Sequence, residues 1–304
     1  MLFKFKKEKI KKFEENECPI WRWVLVVIIG FILGVVISNA VMIVCILTNV
    51  FQIQIFSELG NSNIIKAFVV FACYFVSLVI AVRLIAKTSI KSFIFGLGGK
   101  LSKKESVAIL GTYLLGLILA SLLGLKTTQF SGVSVSQYLI SFLWCSIFGW
   151  MQTTWEELVF RGIVIRAVCK NNIVFNIKSF LAGLISTTVF ALLHIANPEL
   201  TSQNTLLQKI LMLLYYFIMG FFIYISDLVG KSLMPGILIH WIHNFFMFTI
   251  VRDKVSALET RALFINFSAL TGFDYLLRGF VIWLPIFAFY IYKTRKSSVL
   301  NESI

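Results

Sequence analysis

Eight apolar runs, at about 24–49, 64–86, 106–125, 137–165, 179–196, 209–228, 232–251 and 276–292, organise this chain. A membrane-spanning helix needs about 20 apolar residues, because backbone polar groups find no water in hydrocarbon and must be satisfied within the segment. The pattern therefore predicts an all-α, polytopic membrane protein with about eight transmembrane helices. The residues outside these runs are divided among the termini and separate connections, none with room for a second sizeable domain, so residues 1–304 are expected to form a single integral membrane domain. Composition agrees: 59% of residues are hydrophobic and 14% charged, against roughly 45–50% and about 25% in soluble domains. Internal repeats of the kind that build many transporters are not visible.

The net charge of +14 would point to nucleic acid in a soluble protein. Here the lysines cluster in the opening "MLFKFKKEKIKK", in "KTSIKSFIFGLGGKLSKKE" and in "YKTRKSS" near the end. That is the distribution of cytoplasmic segments, and it makes anionic lipid the expected partner rather than nucleic acid. The basic segment 1–22, the loop 87–104 and the C-terminus then share the cytoplasmic side of the cell membrane, as an even number of spans requires. The first apolar run lacks a small-residue cleavage site and is expected to remain as an anchor. Five scattered cysteines without a C-x-x-C pair support neither a disulfide framework nor a thiolate metal site.

Ionisable residues within spans cost a few kcal/mol on insertion scales, so they are normally paired, face the bundle interior and are functional candidates. Three stretches contain them. "TTWEELVFRG" puts Glu157 and Arg161 at i, i+4 on one helix face, with Glu156 on an adjoining one. A structural ion pair explains one glutamate and the arginine; the second carboxylate is left over and suits a site that handles protons. "TVFALLHIANP" places Phe190 and His194 one turn apart, and "LIHWIHNFF" places His240 and Asn244 one turn apart, with His243 between them. All three histidines of the chain fall in spans. Glu156, ten residues before Arg166, and His240, nine after Lys231, each come out about 14–15 Å deep if those cations mark the inner side. The clusters are thus expected to converge on a polar intramembrane cavity.

E-E-x-x-x-R (Glu156, Glu157, Arg161), F-x-x-x-H (Phe190, His194) and H-x-x-x-N (His240, Asn244), in this order on separate hydrophobic helices, resemble the three motifs of the CAAX protease and bacteriocin-processing family. That family is also known as Abi or type II CAAX prenyl endopeptidase. The motif-bearing part covers about 137–251. The resemblance implies an intramembrane endopeptidase in which Glu156 activates water, His194 orients or polarises it, and His240 with Asn244 binds the oxyanion. Glu157, Arg161 and Phe190 would support the site. His243 is an addition to the pattern, read as a packing or supporting residue.

A cofactor is not expected. Zinc held by Glu156, His194 and His240 is the alternative, although the soluble zinc-protease pattern H-E-x-x-H is absent. The substrate class expected is a membrane-bound or hydrophobic peptide or protein, with a role in peptide maturation or bacteriocin immunity. Two other readings of the same residues stay open: a proton- or ion-coupled transporter, and a non-catalytic immunity or scaffold protein of the same fold.

Overall fold

The computed structural model describes residues 19–48, 62–95, 103–123, 128–130, 135–169, 177–196, 205–249, 251–252, 263–266 and 280–292. The lysine-rich 1–18, the C-terminal 293–304 and most connections, on which the sidedness reading rests, lie outside these residues. A helix occupies each of the eight expected places: α1 (Ile20–Leu47), α2 (Ser62–Leu84), α4 (Lys103–Leu123), α5 (Val135–Glu156), α7 (Ile177–Leu193), α8 (Leu206–Gly230), α9 (Met234–Thr249) and α10 (Phe280–Tyr292). Two short helices were not anticipated. One is α3 (Ile90–Phe95), inside the basic loop; the other is α6 (Val164–Cys169), which prolongs α5 beyond a π-helical segment, Glu157–Ile163.

Two helical stretches, Trp21–Leu47 and Leu206–Gly230, are long and apolar enough by themselves to cross a membrane, and four shorter ones are apolar. The surface supplies the second argument. Val24, Ile28, Phe31, Ile32 and Val36 on α1, Leu181, Ile185, Val189 and Leu192 on α7, and Leu284 and Phe287 on α10 are all exposed. Contiguous apolar exposure of this extent is not stable against water and fits lipid. The helices thus form a membrane protein.

The helices pack around two buried clusters. One gathers Trp23, Leu78, Val82, Phe93, Leu158, Ile165, Leu228 and Ile237; the other gathers Tyr113, Phe190, Met219, Ile223, Ile239, Trp283 and Ile286. α1 lies along α2, α7 along α8, and α9 against both α5 and α8. Leu158 belongs to the first cluster and Phe190 to the second, so the charged π-helical segment lies along their seam.

Local chemistry places the ends. α8 starts at a reciprocal cap, with the Gln208 backbone N–H donating to Thr205 Oγ1 at 3.2 Å and the Thr205 N–H donating to Gln208 Oε1 at 3.1 Å. It ends at Lys231, left-handed at φ 48°. Ser232 Oγ then accepts the Met234 N–H and opens α9 after a three-residue turn. Three short strands, β1 (Thr128–Phe130), β2 (Val251–Arg252) and β3 (Leu263–Asn266), add a small sheet of order β1–β3–β2. β1 and β3 are antiparallel, Thr128 opposite Ile265. They bring residues 128–130, between α4 and α5, beside residues 263–266, between α9 and α10.

Arg166, read from the sequence as an inner-side marker reaching the interface, is instead buried. Its guanidinium donates to the carbonyls of Ser92, Phe93 and Gly162 and lies over the Phe93 ring, 4.0 Å from its centroid. The last carbonyls of a six-residue helix have no partners within it, and Arg166 supplies donors to them.

Candidate functional site

The sequence motifs meet in one buried cluster at the seam. On α5, Gln152 donates through Nε2 to Glu156 Oε1 at 2.9 Å, one turn below. On the π-helical segment, Arg161 is bonded to Glu157 Oε1, reaches the Gly220 carbonyl of α8 at 3.3 Å, and lies 4.7 Å over the Phe190 ring. Glu157 and Arg161 are both fully buried, and each satisfies the other's charge. π-helical turns insert an extra residue into the helical ladder and occur frequently at functional sites.

His240 on α9 lies between the two glutamates. Its Nδ1 donates to Glu157 Oε1 at 2.6 Å, while its Nε2 stands 3.5 Å from Glu156 Oε2. Since a carboxylate only accepts, the Nδ1 proton is committed to Glu157. Nε2 of a neutral ring and Glu156 Oε2 are then two acceptors face to face, which need a proton or a water between them. Glu156 Oε2 is buried and has no hydrogen-bond partner among the described residues. The arrangement can therefore accept a proton from a water placed within reach of both atoms.

His194 follows α7 in a single 3-10 turn, His194–Ala196. Its Nδ1 donates to the Phe190 carbonyl at 2.7 Å, and its ring packs between Phe190 and Tyr216, centroids 4.4 and 4.3 Å away. Glu156 and His240 are near enough to act on it electrostatically. Phe190 also meets the His240 ring edge-on, centroids 5.7 Å apart, so one phenylalanine supports Arg161, His194 and His240 together. Asn244, half-buried, follows His240 by one turn of α9.

Reading the sequence missed four residues around the cluster. Asp227, fully buried near the end of α8, accepts the Gly236 N–H of α9 at 2.8 Å. It was legible as an aspartate in an apolar run. Tyr113 and Tyr215 each place a hydroxyl 2.8 Å from a nitrogen of His243, and Tyr216 packs on His194. A tyrosine in a hydrophobic helix gives no signal of such a role. Among the described residues no three His, Cys, Asp or Glu side chains are grouped to hold a metal ion, and both His240 nitrogens already face carboxylates.

No curated protein and no solved structure matches the chain. A family model does, over the stretch that holds every motif residue of the cluster: residues 136–246, from the start of α5 into α9, match the model of the type II CAAX prenyl endopeptidase Rce1-like family.

Proposed function

We propose that the protein is an intramembrane endopeptidase that hydrolyses a peptide bond in a membrane-bound or hydrophobic peptide or protein, with Glu156 as the general base. The observation that carries this reading is the buried approach of Glu156 Oε2 to His240 Nε2, 3.5 Å apart, with the glutamate oxygen lacking a hydrogen-bond partner among the described residues. A water there loses a proton to Glu156 as it attacks the carbonyl carbon. Gln152 keeps the carboxylate aimed, and His194 polarises the water from the α7 side. That proton passes on to His240 Nε2, 3.5 Å away, and His240, now donating at both nitrogens, binds with Asn244 the oxyanion of the tetrahedral intermediate, whose charge is strongly stabilised by donors in a dry site. Glu157 and Arg161 hold His240 in place.

The sidedness in this reading follows from charge and hydropathy. The eight long helices span the cell membrane with both termini cytoplasmic, where the basic segments lie on anionic lipid. The reaction runs without a metal. The biological role proposed is maturation of a hydrophobic peptide or immunity to a bacteriocin.

Comparative peptidomics of membranes carrying the wild-type protein or Glu156→Ala tests the proposal. New termini within hydrophobic peptides that appear only with wild type are expected, and they give the substrate and cleavage site directly. Identical peptidomes would overturn the reading. Proton uptake into vesicles that disappears in Glu156→Gln would replace it with a transporter.

A further inference from the structure

The helix that carries His240 is gripped by buried polar contacts on both sides of that residue. Four residues before it, the Gly236 N–H donates to Asp227 Oδ1 at 2.8 Å. A Cβ at position 236 would run into the Asp227 carboxylate, so glycine is what lets that carboxylate approach the α9 backbone so closely. The same aspartate's backbone carbonyl accepts the Ser232 N–H at 3.2 Å, closing the turn between the two helices. Its second oxygen, Oδ2, is buried without a hydrogen-bond partner among the described residues, so burying this carboxylate carries a cost.

Three residues after His240, the His243 ring is held at both ends. Nδ1 meets the Tyr113 hydroxyl from α4 and Nε2 meets the Tyr215 hydroxyl from α8, each at 2.8 Å. A neutral imidazole donates at one nitrogen and accepts at the other, so one tyrosine accepts from the ring and the other donates to it. Trp283 of α10 packs on the same ring, centroids 6.0 Å apart. Gly236, His240 and His243 stand at i, i+4 and i+7, along one stripe of α9.

His240 must meet two carboxylates at once, Glu157 through Nδ1 at 2.6 Å and Glu156 across 3.5 Å from Nε2. Hydrogen bonds tolerate only a few tenths of an ångström, so a small slide or rotation of α9 breaks one relation or the other. Buried contacts at both ends of the stripe restrain those two motions.

We propose that Asp227 and the Tyr113–His243–Tyr215 bridge are positioning residues that set the depth and rotation of α9, and through them the reach of His240 to both glutamates. This rests on the hydrolytic reading above. The test uses the full-length protein in detergent with a quenched fluorescent peptide built on the cleavage site found in the membrane comparison. Asp227→Ala, which deletes the acceptor for Gly236, is expected to lower kcat by about 10-fold or more while KM stays within about twofold, since misplacement by about 1 Å can cost about 100-fold. Asp227→Asn keeps an acceptor oxygen and should retain most of the activity. Y113F and Y215F each delete one hydroxyl and should lower kcat several-fold with KM unchanged.

A wild-type kcat in Asp227→Ala would overturn the proposal. So would an Asp227→Asn as defective as the alanine variant, because charge rather than position would then matter. Should Asp227→Ala fail to accumulate as folded protein, Y113F and Y215F carry the test, and wild-type kcat in both overturns it. Glu156→Ala in the same assay separates the two readings. Cleavage by Glu156→Ala ends the hydrolytic one, whereas an inert Glu156→Ala beside unaffected positioning variants ends only this one.

Discussion

His240 Nδ1 and Glu157 Oε1 meet at 2.6 Å in a fully buried hydrogen bond that joins two segments 83 residues apart in the sequence. The same carboxylate oxygen carries the Arg161 ion pair, so one glutamate links a fixed cation to a histidine whose other nitrogen faces Glu156. Burial of the pair makes each partner depend on the other. Removing one leaves a charge uncompensated in a dry interior, at about 3–5 kcal/mol. Arg161→Met and Glu157→Gln should therefore each lower the melting temperature of the detergent-solubilised protein markedly. The double variant should recover much of the stability and none of the activity. Single variants as stable as wild type would show that the pair carries no structural role.

Gln152 is a more specific lever on Glu156, because it touches only one oxygen of that carboxylate, at 2.9 Å. A hydrogen bond to a charged group is worth about 1.5–3 kcal/mol, so Gln152→Leu should reduce kcat by about 10- to 100-fold. The melting temperature should change little, as Gln152 is only half-buried. Kinetics of the purified variant with the peptide substrate check this; an unchanged kcat would mean that Glu156 needs no holding.

The cluster was legible in the sequence to the extent that charges in apolar helices are rare and their spacing is readable. Glu156, Glu157, Arg161, Phe190, His194 and His240 do come together. Which glutamate holds His240 was not legible. An even 100° per residue gives Glu157 to Arg161 and leaves Glu156 for the histidines, whereas a π-helical segment and a neighbouring α9 let His240 bond Glu157 and face Glu156. Arg166 misled for a related reason: a cation near a helix end ordinarily reaches the interface, but here the carbonyls of α3 lie beside it. The small sheet was invisible because its strands have two to four residues each and β1 pairs with β3 across more than 100 positions.

Phe190 has a measurable burden as the shared support of three polar side chains. Its ring is fully buried and contacts Arg161, His194 and His240. Phe190→Ala should cost about 3–5 kcal/mol through the cavity alone. Phe190→Leu restores much of the volume without the aromatic face, and it should stay folded while losing most of its kcat. If Phe190→Leu cleaves like wild type, the ring is merely filler.

Metal dependence is decided by removal. With the Nδ1 proton of His240 given to Glu157, the ring can offer a metal only Nε2, which faces Glu156 across 3.5 Å. Dialysis of the purified protein against a strong chelator should leave cleavage unchanged, and elemental analysis should find less than stoichiometric zinc. Activity lost with one equivalent of zinc, and restored by it, would replace the glutamate mechanism with a metal-bound water.

The π-helical segment gives the strictest test of how the motif works. Glu157–Ile163 departs from the α-helical ladder between two regular helices, α5 and α6. Such a segment behaves as an α-helix that has absorbed one extra residue. Deleting Val159, which packs only partly buried against the first core cluster, should let the ladder close as an ordinary α-helix. The deletion takes Glu157 and Arg161 from i, i+4 on a widened turn to i, i+3 on an α-helical one, so they stay neighbours while Arg161 shifts relative to Glu156 and to the Gly220 carbonyl. Circular dichroism should then show unchanged helix content, while the melting temperature falls and cleavage stops. A deletion variant that still cleaves would mean that the widened turn is incidental, and that an ordinary helix can bring Glu156, Glu157 and Arg161 to the same places.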